Sequence, residues 1–247
     1  MSTPPTTDRW DEPVGATPRG TLIVLAGRGE SAAVYGRFGR RLSADAYRVR
    51  AVEDVTVSVS RSAHLVRSII AESEAGPVVL VGSDAGAVLA LRIASERHSG
   101  IAGVIVAGLP NGTGIAGDAQ AQIDVRSACP VHRGVLAEPG VLDPLALSRD
   151  LPGNLTLPRP ADIAVPLLAF HGEADLVASP AAALAYYDEL ARARVALVPE
   201  GRHDILNDVT HRSVAATVVL FLERLRSPGR PPVVVPATRE DGRLVWA

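Results

Sequence analysis

The sequence lacks several features that would assign it to a specialised class of protein. Its 247 residues contain one cysteine, Cys129, which cannot form an internal disulfide, and this favours a reducing compartment. A formal net charge of −2 provides no strong field for binding nucleic acid or an anionic membrane surface. No apolar run approaches the roughly 18 residues of a membrane span, and the first residues lack the basic and apolar regions of a signal peptide. We therefore expect a soluble cytoplasmic domain.

Aromatic residues are scarce at 4%, whereas hydrophobic residues make up 47%, so the core must consist mostly of alanine, valine and leucine. The length is sufficient for one sizeable core. Short apolar runs of strand length alternate with helical patterns, which predicts an α/β fold with a mostly parallel sheet and helices on both faces. The predicted strands are residues 21–26, 47–52, 78–81, 101–107, 165–170 and 195–198.

Composition also divides the chain. Residues 1–20 are rich in proline, threonine and glycine and are expected to form a mobile arm, with Trp10 held against the body. The core is assigned to residues 21–109 and 161–226. Residues 110–160 are long, Gly/Pro-rich and weakly periodic, which is typical of a lid or cap over a functional site. The tail, residues 227–247, has possible edge strands at 233–235 and 244–246.

The most informative stretch follows the predicted strand at residues 78–81. Gly82-Ser83-Asp84-Ala85-Gly86 separates that strand from a helical pattern without any linking loop. Small residues on both sides of such a turn allow its central residue, Asp84, to adopt strained backbone geometry with its side chain above the sheet. Ser83 lies one place early and is expected to point away from the apex. The alternative is a glycine-rich turn without chemistry.

This pentapeptide resembles the nucleophile elbow of the α/β-hydrolases, whose esterases and lipases carry serine where this chain carries Asp84. The segment His171-Gly-Glu-Ala-Asp175 is similar to the family's H-G-x-x-D motif, which implies that Asp175 is the acid of a catalytic triad. Residues 198–208 resemble the segment with the catalytic histidine in monoglyceride-lipase and lysophospholipase relatives, which implies that role for His203. The chain order of nucleophile, acid and histidine is the family's order.

The predicted site should form at one edge of the sheet, because parallel strands place their carboxyl ends together. There His203 would accept a proton from a nucleophile or a water, while Asp175 orients the ring and stabilises its cation. Residues 27–42 resemble the H-G-x-G-E loop and following helix of the same relatives, with Ala26 in place of the histidine. The resemblance implies an oxyanion hole formed by the backbone N–H groups of Arg28 and Ala85.

An aspartate nucleophile suits displacement at an sp³ carbon, which forms an alkyl ester that activated water then hydrolyses. Asp84 therefore resembles the nucleophile of epoxide hydrolases and haloalkane dehalogenases. The dehalogenases' halide-holding tryptophan is replaced by Ala85, and no tyrosine lies in residues 110–160 to protonate an epoxide oxygen. The leading interpretation is a hydrolase, monomeric or homodimeric, that acts on a small neutral epoxide or activated ester without a cofactor.

The predicted substrate contacts are Gly27, Ser83, Cys129 and His132. Cys129 and His132 lie in the lid segment, where they either assist a leaving oxygen or order the lid. They are too few for a metal site.

Two other functions fit part of the sequence. Asp84 could serve as a base or binding group in a non-hydrolytic lyase, cyclase or ligand-binding pseudoenzyme, which the fold alone does not exclude. Gly27-x-Gly29-x-x-Ala32 also follows a strand and precedes acidic residues 53 and 54, as in NAD(P)-binding Rossmann proteins. This second interpretation leaves Asp84 and His203 unexplained.

Overall fold

A computed structural model describes residues 7–74, 76–96, 99–110, 115, 117–227, 229, 237–240 and 243–246. A seven-stranded sheet lies at its centre, with strand order β1-β3-β2-β4-β5-β6-β7. All neighbouring strands are parallel except β1, which pairs antiparallel with β3. The α/β class predicted from the sequence is therefore confirmed. The strands are β1 (Thr7–Trp10), β2 (Gly20–Leu25), β3 (Tyr47–Val52), β4 (Val78–Ser83), β5 (Gly103–Ala107), β6 (Leu167–Gly172) and β7 (Ala193–Val198).

Helices cover both faces of the sheet, and alternate strand residues supply two separate cores. Along β2, Leu22 and Val24 belong to one apolar cluster, whereas Ile23 and Leu25 belong to the other. This alternation is the two-residue period of a strand that is buried on both sides. None of the helices in the described ranges is long and apolar enough to cross a membrane. The helices are α1 (Gly36–Ala44), α2 (Val59–Glu72), α3 (Ala85–Ala94), α4 (Ala119–Arg126), α5 (Pro130–Leu136), α6 (Pro180–Asp188) and α7 (His211–Arg226).

The segment between β5 and β6, which we call the insert (residues 108–166), is less irregular than predicted. It contains α4 and α5, and each has a recognisable start. The side chain of Asp118 caps α4 by accepting a hydrogen bond from the N–H of Ala121, and Pro130 occupies the first position of α5. Both helices are shorter than three turns, so their apolar periodicity was too brief to detect in the sequence.

The first strand corrects the expected mobile arm. Residues 7–10 form β1 at the edge of the sheet, and residues 1–6 lie outside the described part of the chain. Trp10 packs against α1 at Gly39, where an added Cβ would lie 2.2 Å from its Cε3 atom. The predicted attachment of Trp10 to the body is confirmed. The prediction of a mobile arm was wrong for residues 7–10. A four-residue strand among prolines and glycines carries too little periodicity to be recognised in the sequence.

The other end of the sheet also differs from expectation. β7 was predicted as a core strand, but it lies at the edge, and the side chains of Val195 and Leu197 are 42% and 41% exposed. In the tail, β8 (Ala237–Glu240) and β9 (Arg243–Trp246) form an antiparallel hairpin, which confirms a strand at 244–246 but pairs it outside the main sheet. The predicted strand at 233–235 lies outside the described residues.

The packing at the turn between β4 and α3 gives a stability prediction. An added Cβ at Gly86 would lie 2.1 Å from the main-chain oxygen of Leu25, which cannot move without disturbing β2. We expect Gly86→Ala to lower the free energy of unfolding by about 2–3 kcal/mol in urea titrations. Gly134 lies inside α5, and no atom of the described ranges lies within 4 Å of a Cβ added there. The control Gly134→Ala should raise stability by about 0.5–1 kcal/mol, and equal effects would contradict this account of the turn.

Candidate active site

Asp84 lies at the apex of the turn between β4 and α3, as the elbow pattern predicted. Its backbone has φ 47° and ψ −119°, and its N–H donates a hydrogen bond to the carbonyl of Ala107 at 3.0 Å. A non-glycine residue in such a region stores about 1–3 kcal/mol of strain. Gly82 allows the turn to close, because an added Cβ there would lie 2.4 Å from the Cα of Ala87. The packed turn therefore holds the Asp84 carboxylate at the carboxyl edge of the sheet in spite of this strain.

His203 lies between two carboxylates and is fully buried. Its Nδ1 lies 2.9 Å from Oδ2 of Asp175, and its Nε2 lies 3.4 Å from Oδ1 of Asp84. The second distance is that of an ion pair, and Nε2 makes no hydrogen bond to any residue that the structure describes. Asp175 is held in turn by the N–H groups of Val177 and Ala178, which donate to its Oδ1 at 2.8 and 2.9 Å. The structure thus brings together the three residues that the sequence singled out.

The Arg28 side chain completes the group in a way that the sequence did not suggest. Its Nε and Nη2 donate to Oδ2 and Oδ1 of Asp84, both at 2.9 Å, in the two-pronged geometry that fits a carboxylate. Its main-chain N–H, the predicted oxyanion-hole donor, also donates to Oδ2 of Asp84 at 2.9 Å. Its Nη1 donates to the carbonyl of Arg149 in the insert at 2.9 Å. Arg28 and Asp84 are 3% and 1% exposed.

A second buried ion network joins the insert to this group. Arg126 of α4 lies 2.9 Å from Glu30 and 3.4 Å from Asp204, and it donates to the main-chain oxygen of Arg28 at 2.6 Å. His132 of α5 lies 3.0 Å from the other carboxylate oxygen of Asp204. Asp204 directly follows His203, so the network reaches both Arg28 and His203 through the main chain. The insert is therefore attached to the core by charged groups around the site.

These charges shift the titration of the central residues. Burial opposes a charge on His203, but the carboxylates of Asp175 and Asp84 outweigh it and raise the pKa of His203 to about 10. Burial likewise opposes ionisation of Asp84, but Arg28 and His203 outweigh it and hold the pKa of Asp84 well below its usual range. The pKa of Asp175 is also lowered, because His203 outweighs the effect of burial. At neutral pH the site of the free protein therefore holds two cations, Arg28 and His203, beside two carboxylates, Asp84 and Asp175.

Three of the other predicted site residues, Gly27, Ala85 and Ser83, lie at or next to the turn that carries Asp84. The N–H of Gly27 donates to Oε2 of Glu30 at 2.9 Å, and an added Cβ at Gly27 would lie 3.1 Å from that of Asp84. Gly27 therefore allows the loop to approach the elbow closely. Ala85 begins α3 and is buried, directly after Asp84. Ser83, a predicted substrate contact, is buried, and its side chain interacts with the hydroxyl of Tyr35.

Cys129 and His132, predicted to contact the substrate, are not brought to Asp84. The sulfur of Cys129 accepts a hydrogen bond from Arg37 at 3.5 Å, and His132 pairs with Asp204. These contacts order the insert and give no support to a role in binding substrate. Within the described ranges, no group of three or more histidine, cysteine or acidic side chains could hold a metal ion.

The glycines of the Rossmann-like pattern do not leave room for a dinucleotide. An added Cβ at Gly29 would lie 2.4 Å from the Cβ of Ala146 and 2.8 Å from the main-chain oxygen of Asp143, both in the insert. Asp54, one of the two acidic residues of that pattern, accepts a hydrogen bond from the N–H of Gly29 at 2.7 Å. The space above the loop is occupied by the protein itself, and the NAD(P) interpretation receives no support.

Comparisons with known proteins agree with the fold. A family model described as serine aminopeptidase, S33, matches residues 153–210, a segment that contains Asp175 and His203 but not the elbow. No curated protein sequence matches the chain.

Three solved structures illustrate the likeness. A monoacylglycerol lipase from Paleococcus ferrophilus is 18% identical with a TM-score of 0.70, over 90% of this chain and 99% of that chain. A soluble variant of monoglyceride lipase from Saccharomyces cerevisiae is 14% identical with a TM-score of 0.73, over 90% and 92%. The enol-lactonase from Burkholderia xenovorans LB400 is 18% identical with a TM-score of 0.65, over 89% and 96%. These likenesses confirm the fold that the motifs predicted.

The buried pair of Arg28 and Asp84 gives a second stability prediction. Replacing Arg28 with methionine leaves the Asp84 carboxylate buried without its main partner, so we expect the free energy of unfolding to fall by about 3–5 kcal/mol. Arg67 makes a similar two-pronged pair with Glu96 on the surface, where the side chains are 49% and 41% exposed. The control Arg67→Met should change stability by less than about 1 kcal/mol. Similar losses in both variants would contradict the assigned burial.

His203 gives a prediction about pH. Because its folded pKa lies above the ordinary value of 6.5, its protonation adds stability that is complete below pH 6.5 and is lost as the pH rises towards 10. Between these values, wild-type stability should fall more steeply than that of His203→Gln, by up to about 1.4 kcal/mol per pH unit. Urea titrations at several pH values measure this difference. The control His64→Gln, at an exposed position on α2, should keep the wild-type slope; equal slopes for wild type and His203→Gln would refute the prediction.

Proposed function

We propose that this chain, which has the α/β-hydrolase fold, is a hydrolase whose covalent nucleophile is Asp84 and whose proton carrier is His203, positioned by Asp175. The proposed substrate is a small molecule with an electrophilic carbon, an epoxide or an activated ester. The observation that carries the proposal is the imidazole of His203 between the Asp84 and Asp175 carboxylates, at 3.4 and 2.9 Å. The similar structures include lipases and a lactonase, which supports a hydrolytic reaction on this fold.

In the first step, a carboxylate oxygen of Asp84 attacks an epoxide carbon and the ring C–O bond breaks. The low pKa of Asp84 supplies the ionised form that the attack requires. The developing alkoxide takes the proton from Nε2 of His203, which is cationic at neutral pH because its pKa is raised to about 10. The products are a hydroxyalkyl ester of Asp84 and a neutral imidazole. His203 thus performs the protonation for which the insert provides no tyrosine.

In the second step, water hydrolyses the ester. Ester formation removes the charge of Asp84, one of the two carboxylates that raise the pKa of His203, so the imidazole becomes a suitable base. It takes a proton from water as the hydroxide adds to the ester carbonyl, and Asp175 stabilises the imidazolium. Collapse of the tetrahedral adduct breaks the acyl C–O bond, and the leaving alkoxide takes the proton back. The proton of the regenerated acid then returns to His203.

The positions of the two Asp84 oxygens fit different tasks in these steps. Oδ1 is the oxygen nearest to Nε2 of His203, which suits attack on the substrate. Oδ2 accepts the main-chain N–H of Arg28 at 2.9 Å. If Oδ1 forms the ester bond, Oδ2 becomes the carbonyl oxygen and already lies on an oxyanion-hole donor. This arrangement supports ester hydrolysis by attack at the Asp84 carbonyl.

The same contacts also favour a second candidate, in which the site binds a ligand without hydrolysing it. Arg28 engages both oxygens of Asp84, and the carboxylate is 1% exposed, so the free protein offers no open nucleophile. Reaction therefore requires the Arg28 side chain, together with the part of the insert that binds it through Arg149, to move. If that movement does not occur, Asp84 acts only as a binding or structural group.

Trapping of the covalent intermediate distinguishes the two candidates. We expect His203→Gln to form the ester on Asp84 slowly, because the acid of the first step is missing, and to hydrolyse it more slowly still, because the base for the second step is missing too, with turnover reduced by about 10²–10⁴-fold. Incubation with a panel of small epoxides and activated esters, followed by intact-protein and peptide mass spectrometry, should reveal an adduct on Asp84. The matched control Asp84→Asn/His203→Gln should form none. A substrate that wild type hydrolyses, but that leaves no adduct either in the single variant after prolonged incubation or in rapidly quenched wild type, would exclude the covalent role, and binding without turnover would favour the second candidate.

A further inference from the structure

The Arg28 guanidinium has the geometry of a receptor for a carboxylate. Nε and Nη2 lie side by side on the two oxygens of Asp84 at 2.9 Å, which is the two-pronged contact that arginine makes with planar anions. The group is 3% exposed, and its remaining nitrogen, Nη1, is fixed by the carbonyl of Arg149. The guanidinium is therefore held in place by the Arg149 carbonyl, and in the free protein Asp84 occupies its carboxylate-binding side.

The proposed reaction would empty this receptor. Once Asp84 has become an ester it carries no charge, and the guanidinium remains buried without its carboxylate partner. An unpaired charge in the interior is strongly destabilising, because the solvent that would stabilise it is absent. The nearby acidic residues Glu30 and Asp204 lie 2.9 and 3.4 Å from Arg126, which they already partner, so neither is available to replace Asp84 at Arg28. A charge on the substrate would remove this cost.

We infer that Arg28 binds a carboxylate of the substrate, which displaces Asp84 from the guanidinium and so frees Oδ1 for attack. The substrate class is then a small carboxylic acid with its electrophilic carbon close to the carboxylate, such as a 2,3-epoxy acid. This replaces the neutral substrate expected from the sequence. The substrate assignment rests on the proposed function, whereas the receptor itself does not. The main-chain N–H of Arg28 donates to Oδ2 of Asp84 in the free protein, and we expect this contact to persist in the reaction.

The receptor can be tested without any reaction. In Asp84→Gly the carboxylate is removed, and glycine readily adopts the positive φ of the elbow. We expect this variant to bind formate in calorimetric titrations, and both wild type, where Asp84 fills the receptor, and Asp84→Gly/Arg28→Met to bind it at least about tenfold more weakly. Equal formate binding by the single and double variants, or no binding by Asp84→Gly, would overturn the inference.

A thermal measurement keeps this test valid if Asp84→Gly is too unstable for calorimetry. Formate should raise the unfolding midpoint of the variant more than chloride does at the same ionic strength, because only the carboxylate fits both nitrogens. The double variant should respond equally to both salts. An equal response of the single variant to the two anions would count against the receptor.

The substrate class is tested with a matched pair of epoxides. Glycidate carries a carboxylate beside the ring, and glycidamide carries a neutral amide of the same shape. We expect the adduct on Asp84 in His203→Gln to form at least about tenfold faster with glycidate. Equal rates would refute the inference and leave the hydrolase proposal intact. Formate binding by Asp84→Gly without any adduct would instead support the receptor and remove the covalent function.

Discussion

The contact between the Arg28 guanidinium and the Asp84 carboxylate is the interaction on which this site depends. It forms because β2 and β4 are neighbours in the sheet, so the loop after β2 and the turn after β4 meet at the same edge. Gly27 and Gly86 lack the Cβ atoms that would keep them apart. The pair keeps Asp84 ionised in a position where burial alone would favour the neutral acid, and Asp175 and the ionised Asp84 together raise the pKa of His203 and keep it charged.

The insert belongs to the same electrostatic unit. It is attached through the Arg149 carbonyl on Arg28 and through Arg126 on Glu30, Asp204 and the Arg28 carbonyl, rather than by apolar packing alone. Buried charged contacts are costly to break singly but can be exchanged when a new ion enters. In the proposed reaction, an anion that engages Arg28 therefore acts on the insert as well as on Asp84. Substrate binding and the opening of the site become one event.

The sequence predicted the parts of this structure that depend on local patterns. The strand at 47–52 and the elbow at Asp84 each follow from a short run of residues, and the chain order of Asp84, Asp175 and His203 followed from motifs after strands. The resemblance to a known family supplied the roles. β1 was missed because four residues are too few to show a period. The edge position of β7 was missed because it depends on the order of all the strands in the sheet, which no single stretch of sequence reveals.

The Arg28 side chain was missed for a different reason. Arg28 and Asp84 are 56 positions apart, and no local pattern reports that their loops meet. The sequence drew attention only to the main-chain N–H of Arg28, through the resemblance of its loop. The available signal was a cation shortly after β2, the strand that lies beside the elbow strand β4. This signal can be recognised only when the strand order is known. Arg126 and Asp204 likewise interact only after the insert folds back on the core.

An aspartate at the elbow changes what the oxyanion hole is for. With a serine at the apex, the N–H of Arg28 would stabilise an oxygen of the substrate in the acylation step. With Asp84, the first step of the proposed reaction occurs at a substrate carbon and needs no such hole. The second step places the oxyanion on Asp84 itself, whose Oδ2 already lies 2.9 Å from that N–H. The filled hole in the free protein is thus the arrangement that the hydrolysis of an aspartyl ester requires, whereas the contact between the guanidinium and the two oxygens of Asp84 has to break before the reaction begins.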